Sequence, residues 1–391
     1  MSDTVCTQLF ENFIRTKQIK EVEKFIQSGC NPDSKYMHDW TPLIFACSIG
    51  EYDIAKMLLD NQANVNLANK FKETPLHVVC LNGNNKIVKL LIEKGAVLDV
   101  QDNNGFTPLY YACNKGYYDI AKFLLETNAD ANIKSNDGKT PLHIVCRLGI
   151  ITIAELLIEK GAHLDIQDSD GKTPLYYACD RNKYSIAKVL IEKGAGLDIR
   201  YSNGFTVLNL VCSNNYTKIA KLLIEKGAHL DIQDSDGKTP LHYACIYNQI
   251  DIAKDIIEKG AHLDIQDSDG NTPLIIACKD NKINIAEMLI KKGANIDIVN
   301  NDGHGPRYFA ELLRATGPPI ISIHETINQY TSSKTPVYEP PGHAVISHTK
   351  GGVNQNRKQK RKTNKKEIQK RKQKRKQKRN TNKNNKYFRR T

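Results

Sequence analysis

Short apolar segments alternate with polar turns along most of the chain, and the alternation has a fixed period. In one copy, four of the five residues 142–146 are apolar, and residues 153–158 follow with apolar side chains at helical spacing. This spacing predicts two short amphipathic helices. Residues 165–172, rich in Asp, Ser and Gly, then predict a turn of the kind that closes a β-hairpin finger. The pattern therefore predicts a helix–helix–finger unit that recurs along the chain.

Each predicted unit starts at the same tripeptide. Thr-Pro-Leu or its variant Thr206-Val207-Leu208 recurs every 33 residues, at Thr41, Thr74, Thr107, Thr140, Thr173, Thr206, Thr239 and Thr272. Threonine is a good helix N-cap, and proline fits the first helical position because no amide hydrogen is needed there. Most units end in a Gly-Ala step, in which glycine suits a left-handed helix end. Asn128 and Gln62 replace that glycine, and we expect strain at Gln62.

A 33-residue unit of this form, T-P-L-H-x-A-C followed by an apolar helix and G-A-x-x-D, resembles the ankyrin repeat. The best copies of the motif begin at Thr140 and Thr239, and the resemblance covers roughly residues 3–316. It implies an all-α solenoid with β-hairpin fingers: an ankyrin-repeat stack of eight full repeats plus caps, followed by a disordered basic tail. Stacking is required because one unit cannot bury its apolar face alone.

The repeat register divides the chain into five predicted parts. They are an N-terminal capping repeat (1–35), eight ankyrin repeats (36–299), a C-terminal cap (300–316), a proline-containing linker (317–349) and a disordered Lys/Arg-rich tail (350–391).

Eight of the ten cysteines follow the repeat and invite a disulfide or metal interpretation. They are Cys47, Cys80, Cys113, Cys146, Cys179, Cys212, Cys245 and Cys278. Neighbouring helices pack about 8–10 Å apart, which exceeds the roughly 7 Å that a disulfide spans between Cα atoms. We therefore expect reduced, buried core thiols. For His77, His143 and His242, the resemblance implies hydrogen bonds between neighbouring fingers.

Two motifs suggest ligand chemistry but have the wrong spacing. Gly171-Lys172-Thr173 lacks the glycine that a phosphate-binding loop carries five residues earlier, where Ile166 stands. The acidic run before Gly171 lacks the first and last ligands of a calcium loop. We therefore expect no metal, no cofactor and no catalytic residue, which favours a non-enzymatic protein.

Charge divides the chain into two parts. Residues 350–391 hold 20 of the 56 Lys and Arg side chains and one acid, Glu367, whereas residues 1–349 hold 36 bases and 42 acids. A stretch so poor in apolar residues cannot form a core. It could target the nucleus, contact nucleic acid or only aid solubility. The candidate targeting or nucleic-acid residues are Lys360, Arg361, Lys362, Arg371, Lys372, Lys374, Arg375 and Lys376.

Partner binding is expected where the repeats differ from one another. The resemblance implies recognition of a protein by finger tips and first helices, and aromatic residues are enriched at binding hot spots. The candidates are Trp40, Phe71, Phe106 and Phe205 in the fingers, and Arg147, Arg181 and Tyr247 in the first helices. The alternative is that each finger aromatic only packs on its neighbour.

These observations favour a monomeric adaptor that binds an as yet unknown protein partner, with a tail that contacts import machinery or nucleic acid. The alternative is a nucleic-acid-binding protein whose affinity lies in the tail. No apolar run is long enough to cross a membrane, and no secretory signal is recognisable, so we expect no membrane insertion and a cytoplasmic or nuclear location.

Overall fold

The computed structural model describes residues 3–316 and 322–333, with side chains described for residues 9–313 and 323–329. The chain divides into two units, residues 1–335 and 336–391, and every described residue lies in the first. The described residues form twenty α-helices and one 3-10 turn, Met37–Asp39. None of these helices has the length and apolar character needed to span a bilayer.

Each repeat contributes two antiparallel helices. The first helices are α3 (Pro42–Ile49), α5 (Pro75–Asn82), α7 (Pro108–Lys115), α9 (Pro141–Leu148), α11 (Pro174–Asp180), α13 (Val207–Ser213), α15 (Pro240–Ile246) and α17 (Pro273–Lys279). The second helices are α4 (Tyr52–Asp60), α6 (Asn85–Glu93), α8 (Tyr118–Glu126), α10 (Ile151–Glu159), α12 (Tyr184–Glu192), α14 (Thr217–Glu225), α16 (Ile250–Glu258) and α18 (Ile283–Lys291). The end helices are α1 (Asp3–Arg15), α2 (Ile19–Gln27), α19 (Pro306–Thr316) and α20 (Ser322–Ser333).

The first helices begin as the sequence predicts. The hydroxyl oxygen of Thr107 accepts a hydrogen bond from the backbone N–H of Tyr110 at 3.2 Å, with proline next to the cap. In the first four repeats this helix has eight residues and ends at a left-handed glycine such as Gly149 (φ 89°). In the last four it has seven residues and ends one position earlier, followed by a left-handed asparagine such as Asn248 (φ 55°). At the end of the second helix, Gln62 has a positive φ of 66°, as expected.

The core is continuous because first helices pack on first helices and second helices on second helices. One first-helix position alternates with a period of two repeats. Every 66 residues it holds an aromatic ring, at Phe45, Tyr111, Tyr177, Tyr243 and Phe309. The intervening repeats hold an aliphatic side chain there, at Val78, Ile144, Leu210 and Ile276. The chemical repeat at this position is therefore a pair of 33-residue units.

The fingers are tighter than the expected hairpins, and no β-strand occurs in the described residues. Within one finger the N–H of Asp168 donates to the carbonyl oxygen of Lys172 at 2.9 Å. Between fingers, the N–H of Ser169 donates to the carbonyl oxygen of Asp137 at 3.1 Å. A second bond within the finger runs from the N–H of Gly171 to the carbonyl oxygen of Asp168 at 2.9 Å. Two backbone bonds within a finger and one between neighbours are too few to form a ladder, so each finger is a hydrogen-bonded turn.

The C-terminal end of the stack differs from the sequence prediction. Residues 317–349 were expected to be a linker, but α20 lies within them and packs on α18 and α19. Ile323 and Ile327, one helical turn apart, are only 3% and 2% exposed. The end of the last repeat presents an apolar surface that these two side chains cover. The remainder of the expected linker and the tail, with its eight candidate basic residues, lie outside the described residues.

Candidate binding surface on the fingers and first helices

The three motif histidines join neighbouring repeats, as the resemblance implies. The Nδ1 of His143 accepts a hydrogen bond from the backbone N–H of Thr140 at 3.0 Å, so Nε2 carries the proton. That Nε2 donates to the carbonyl oxygen of Lys172, in the next finger, at 3.2 Å. His77 and His242 make the same bridges to Phe106 and Asn271. Burial lowers the pKa of all three, that of His143 to about 4, so they are neutral structural groups.

The alternating aromatic rings are also largely structural. The hydroxyl of Tyr177 donates to Oδ2 of Asp168 in its own finger at 2.6 Å, and Tyr111 does the same to Asp102 at 2.7 Å. The Tyr177 ring meets the imidazole of His143, in the preceding repeat, edge to face at 5.8 Å between centroids. A bulky ring in one repeat thus packs on the imidazole of the repeat before it. Burial and the neighbouring carboxylate raise the pKa of both tyrosines.

The eight periodic cysteines are free and buried, which confirms the prediction for them. Burial raises the pKa of each thiol, that of Cys278 to about 12. Such thiols are poor nucleophiles and poor metal ligands at neutral pH. Among the described residues there is no group of His, Cys, Asp and Glu side chains suited to hold a metal ion.

Two of the four predicted finger aromatics pack on their own stack. The Phe106 ring lies parallel to the Tyr110 ring at 4.1 Å between centroids. The Phe205 ring lies 5.2 Å from that of Tyr243. Both phenylalanines are half-buried. Their contacts support the packing interpretation that the sequence left open.

The first-helix candidates differ in exposure. Tyr247 is 54% exposed, with its ring stacked at 6.4 Å from that of Tyr243. Arg181 is exposed and paired with Asp180 at 3.3 Å. Arg147 is half-buried, and its Nε has no hydrogen-bond partner within the described chain. Tyr247 and Arg181 occupy equivalent positions at the ends of their helices, whereas Arg147 lies one position earlier and points less freely to solvent.

The largest apolar exposure on the fingers lies at the N-terminal end of the stack. Met37 is 83% exposed and Phe71 is 45% exposed. Trp40 is half-buried and meets Phe45 at 6.4 Å, while the Phe71 ring lies 5.8 Å from the imidazole of His38. We call Met37, Trp40 and Phe71 the N-terminal finger patch. Met37 was not among the residues predicted from the sequence, although an apolar residue where the fingers from the third onward carry Ser or Asn was a usable signal.

The backbone beneath this patch is unlike that of the later fingers. Asp39 and Lys72 have positive φ values of 59° and 61°, a region that costs a non-glycine residue about 1–2 kcal/mol. At the same position the later fingers carry glycine, as at Gly138, where an added Cβ would come within 2.8 Å of the Ser169 nitrogen. The first two fingers thus hold side chains at a position where most of the later fingers leave no room for a Cβ. Strain of this kind is common at functional sites.

Two protein-family models match this chain. Models described as ankyrin repeats in three copies match residues 50–135, 127–201 and 193–267, and a model of many ankyrin copies matches residues 256–307.

Individual relatives match only a small part of the chain. A protein named Ankyrin repeat, SAM and basic leucine zipper domain-containing protein 1 from Carollia perspicillata is 34% identical over 67 residues, which is 17% of this chain and 14% of the relative. Its counterpart in Mus musculus is 34% identical over 59 residues, 15% of this chain and 12% of the relative. This chain therefore spans far less than two thirds of the relatives that it matches. Ankyrin repeats form protein–protein interaction domains, and the family models together cover more than half of the sequence. The chain belongs to the ankyrin-repeat family.

Proposed function

We propose that this chain is an adaptor whose repeat stack binds a protein partner, with the N-terminal finger patch as the main contact. The observation that carries the proposal is the exposure of Phe71 and Met37 on adjacent fingers. Aromatic and methionine side chains are enriched at interfaces, where a few anchors supply most of the binding energy. Trp40 extends the patch toward the first helices. Such a protein acts by binding rather than by catalysis.

The remaining candidates extend this surface or support it. Tyr247 and Arg181 project from first-helix ends farther along the stack and would contact a long partner. Phe106 and Phe205 support the fingers from which they project, and the half-buried Arg147 makes a smaller contact. A partner that covers several repeats would therefore gain most of its affinity at one end.

Affinity capture with three forms of the full chain tests the proposal. The forms are the natural sequence, Phe71→Ala and Phe205→Ala, the last being a matched loss of a finger phenylalanine outside the patch. Captured proteins are compared by quantitative mass spectrometry. At least one protein should be retained by the natural chain and by Phe205→Ala but lost with Phe71→Ala. A set of captured proteins that is the same for all three would argue against the patch.

The basic tail supports a second role, localisation of the adaptor to the nucleus. Residues 350–391 carry 20 basic side chains against one acid, including Lys370-Arg371-Lys372 and Lys374-Arg375-Lys376. The same composition favours the second candidate function, a nucleic-acid-binding protein whose affinity lies in the tail. A chain ending at Thr349 separates the two. If partner capture persists while nuclear accumulation or retention on nucleic acid is lost, the adaptor proposal holds.

A further inference from the structure

We propose that the partner segment bound at the N-terminal finger patch is an acidic peptide, in which an apolar side chain is flanked by Asp or Glu. This inference rests on the proposed function and adds the chemistry of the partner. It comes from the charges around Phe71, which differ from those on the later fingers.

Phe71 lies between two lysines, and nothing on the stack neutralises them. Lys70 and Lys72 are exposed, and neither forms an ion pair with any described residue. The nearest acid in the sequence, Glu73, accepts a hydrogen bond from Nδ2 of Asn69 at 2.8 Å instead. The exposed phenylalanine is therefore flanked in the sequence by two lysines that have no ion pair in the described part of the chain.

In two of the later fingers, the lysine forms an ion pair with an aspartate of the same finger. The Nζ of Lys172 lies 3.0 Å from a carboxylate oxygen of Asp170, two residues earlier in the same finger. Lys238 makes the same pair with Asp236 at 3.3 Å. In the second finger Phe71 and Glu73 occupy the positions of that aspartate and lysine, so this ion pair is absent. Its two lysines, Lys70 and Lys72, stand where the later finger has Ser169 and Gly171. The second finger thus carries its two lysines on either side of its exposed phenylalanine.

The first finger adds one exposed lysine and one exposed acid to this surface. Lys35 is exposed and has no ion pair in the described part of the chain. The first two fingers hold two acids, of which Asp39 alone is exposed, while Glu73 is half-buried. Three lysines without an ion pair among the described residues thus lie on the same two fingers as the three apolar side chains. Oppositely charged groups on a partner would orient it and speed its association, while the apolar contacts supply most of the affinity.

The same surface suits a peptide better than a polynucleotide. The stretches 35–40 and 69–73 contain no arginine, the side chain whose planar fork matches a phosphate with two hydrogen bonds. Met37, the most exposed apolar side chain of the patch, offers no flat face on which a base could stack. An aliphatic or aromatic side chain of a peptide fills such a site.

The experiment is a selection of random twelve-residue peptides, displayed on phage, against the full chain. The natural sequence is compared with Lys70→Glu/Lys72→Glu and with a matched control, Arg200→Glu/Lys254→Glu, which reverses two exposed, unpaired bases elsewhere. All three proteins keep the same tail, so a difference between them reports only on the fingers. Phe71→Ala shows which selected peptides use the patch.

We expect peptides that depend on Phe71 to carry net negative charge and at least one large apolar residue. Synthetic copies should bind the charge-reversed fingers about fivefold more weakly or worse, and the control unchanged, since each exposed charge pair contributes a little. Phe71-dependent peptides without acidic bias, or with unchanged affinity for Lys70→Glu/Lys72→Glu, would overturn the inference but leave the proposed function intact. If no selected peptide depends on Phe71, both this inference and the proposed role of the N-terminal finger patch are refuted. If a single-stranded oligonucleotide displaces the acidic peptides by binding at the fingers, only this inference is refuted.

Discussion

His143 connects two repeats with a single imidazole ring: Nδ1 accepts from the backbone of Thr140, and Nε2 donates to the carbonyl oxygen of Lys172 at 3.2 Å. Only the neutral ring can make both bonds. Asn209 occupies the same place in a later repeat, where its amide spans the same groups: Oδ1 accepts from Thr206 and Nδ2 donates to Lys238. The chain therefore contains its own non-titrating replacement for this histidine.

The repeat stack should lose stability as the pH falls from about 6.5 toward 4. Burial lowers the pKa of His143 to about 4 from its ordinary value near 6.5, so the unfolded chain binds the proton more readily over this range. Full protonation of this one group would cost about 3 kcal/mol of unfolding free energy, and His77 and His242 act in the same direction. Urea unfolding at several pH values measures the loss.

The variant His143→Asn is the control for that effect. It should retain the bridge between repeats but show a weaker dependence of the urea midpoint on pH between 7 and 4. An equally steep dependence in the variant would mean that His143 does not contribute.

Removing the hydroxyl of Tyr177 should destabilise the stack. In Tyr177→Phe, Oδ2 of Asp168 loses the hydrogen bond that Tyr177 donates at 2.6 Å, at a cost of about 1–2 kcal/mol. Tyr184→Phe is the matched control, because Tyr184 is 38% exposed and its hydroxyl makes no hydrogen bond with the described residues. Chemical denaturation should show a lower free energy of unfolding for Tyr177→Phe only. Equal stability of the two variants would mean that the hydrogen bond between Tyr177 and Asp168 does not stabilise the stack.

Relief of backbone strain should stabilise the second finger. Lys72→Gly removes a side chain from a left-handed backbone (φ 61°), which relieves strain. Glycine also makes the unfolded chain more flexible, and the net increase in the free energy of unfolding should be about 0.5 kcal/mol. Lys70→Gly is the comparison, because Lys70 lacks a positive φ and only the entropy cost applies. The melting temperature should rise for Lys72→Gly and fall slightly for Lys70→Gly. A fall for both would show that Lys72 is not strained.

The eight periodic thiols should react only after unfolding. They are buried, so a thiol reagent cannot reach them in the folded chain. Burial also raises the pKa of each, so the reactive thiolate form is scarce. Cys30 is disulfide-bonded and does not enter this count. Mass spectrometry after brief alkylation, with and without denaturant, checks the expectation. Rapid modification of Cys146 in the folded protein would contradict its place in the core.

The repeat architecture was predictable from the sequence because each helix start is encoded locally. Thr107 and the proline after it fix the N-terminus of their helix wherever they occur, and the 33-residue spacing makes stacking the only way to bury the apolar faces. The helix Ser322–Ser333 was not predictable in this way, since it lies outside the repeat register and is held by packing on α18.

The candidate site was only partly predictable for a related reason. In the sequence, Phe71 and Phe106 are both phenylalanines near the tips of successive fingers, and both were candidates for binding. Phe106 is half-buried because Tyr110 stacks beneath it, whereas the Phe71 ring lies 5.8 Å from the His38 imidazole and Phe71 is 45% exposed. Which ring remains available to a partner depends on neighbours 4 Å away in space, which one-dimensional spacing does not specify.

The most direct test of the account is the dissociation constant of a captured partner for the natural chain and for Phe71→Ala, measured alongside the free energy of unfolding of each. We predict that the dissociation constant rises about tenfold or more, equivalent to about 1.4 kcal/mol. The unfolding free energy should stay within about 0.5 kcal/mol, as for most surface substitutions. An unchanged dissociation constant, or weaker binding that merely follows a large loss of stability, would contradict the claim that this finger is a binding surface.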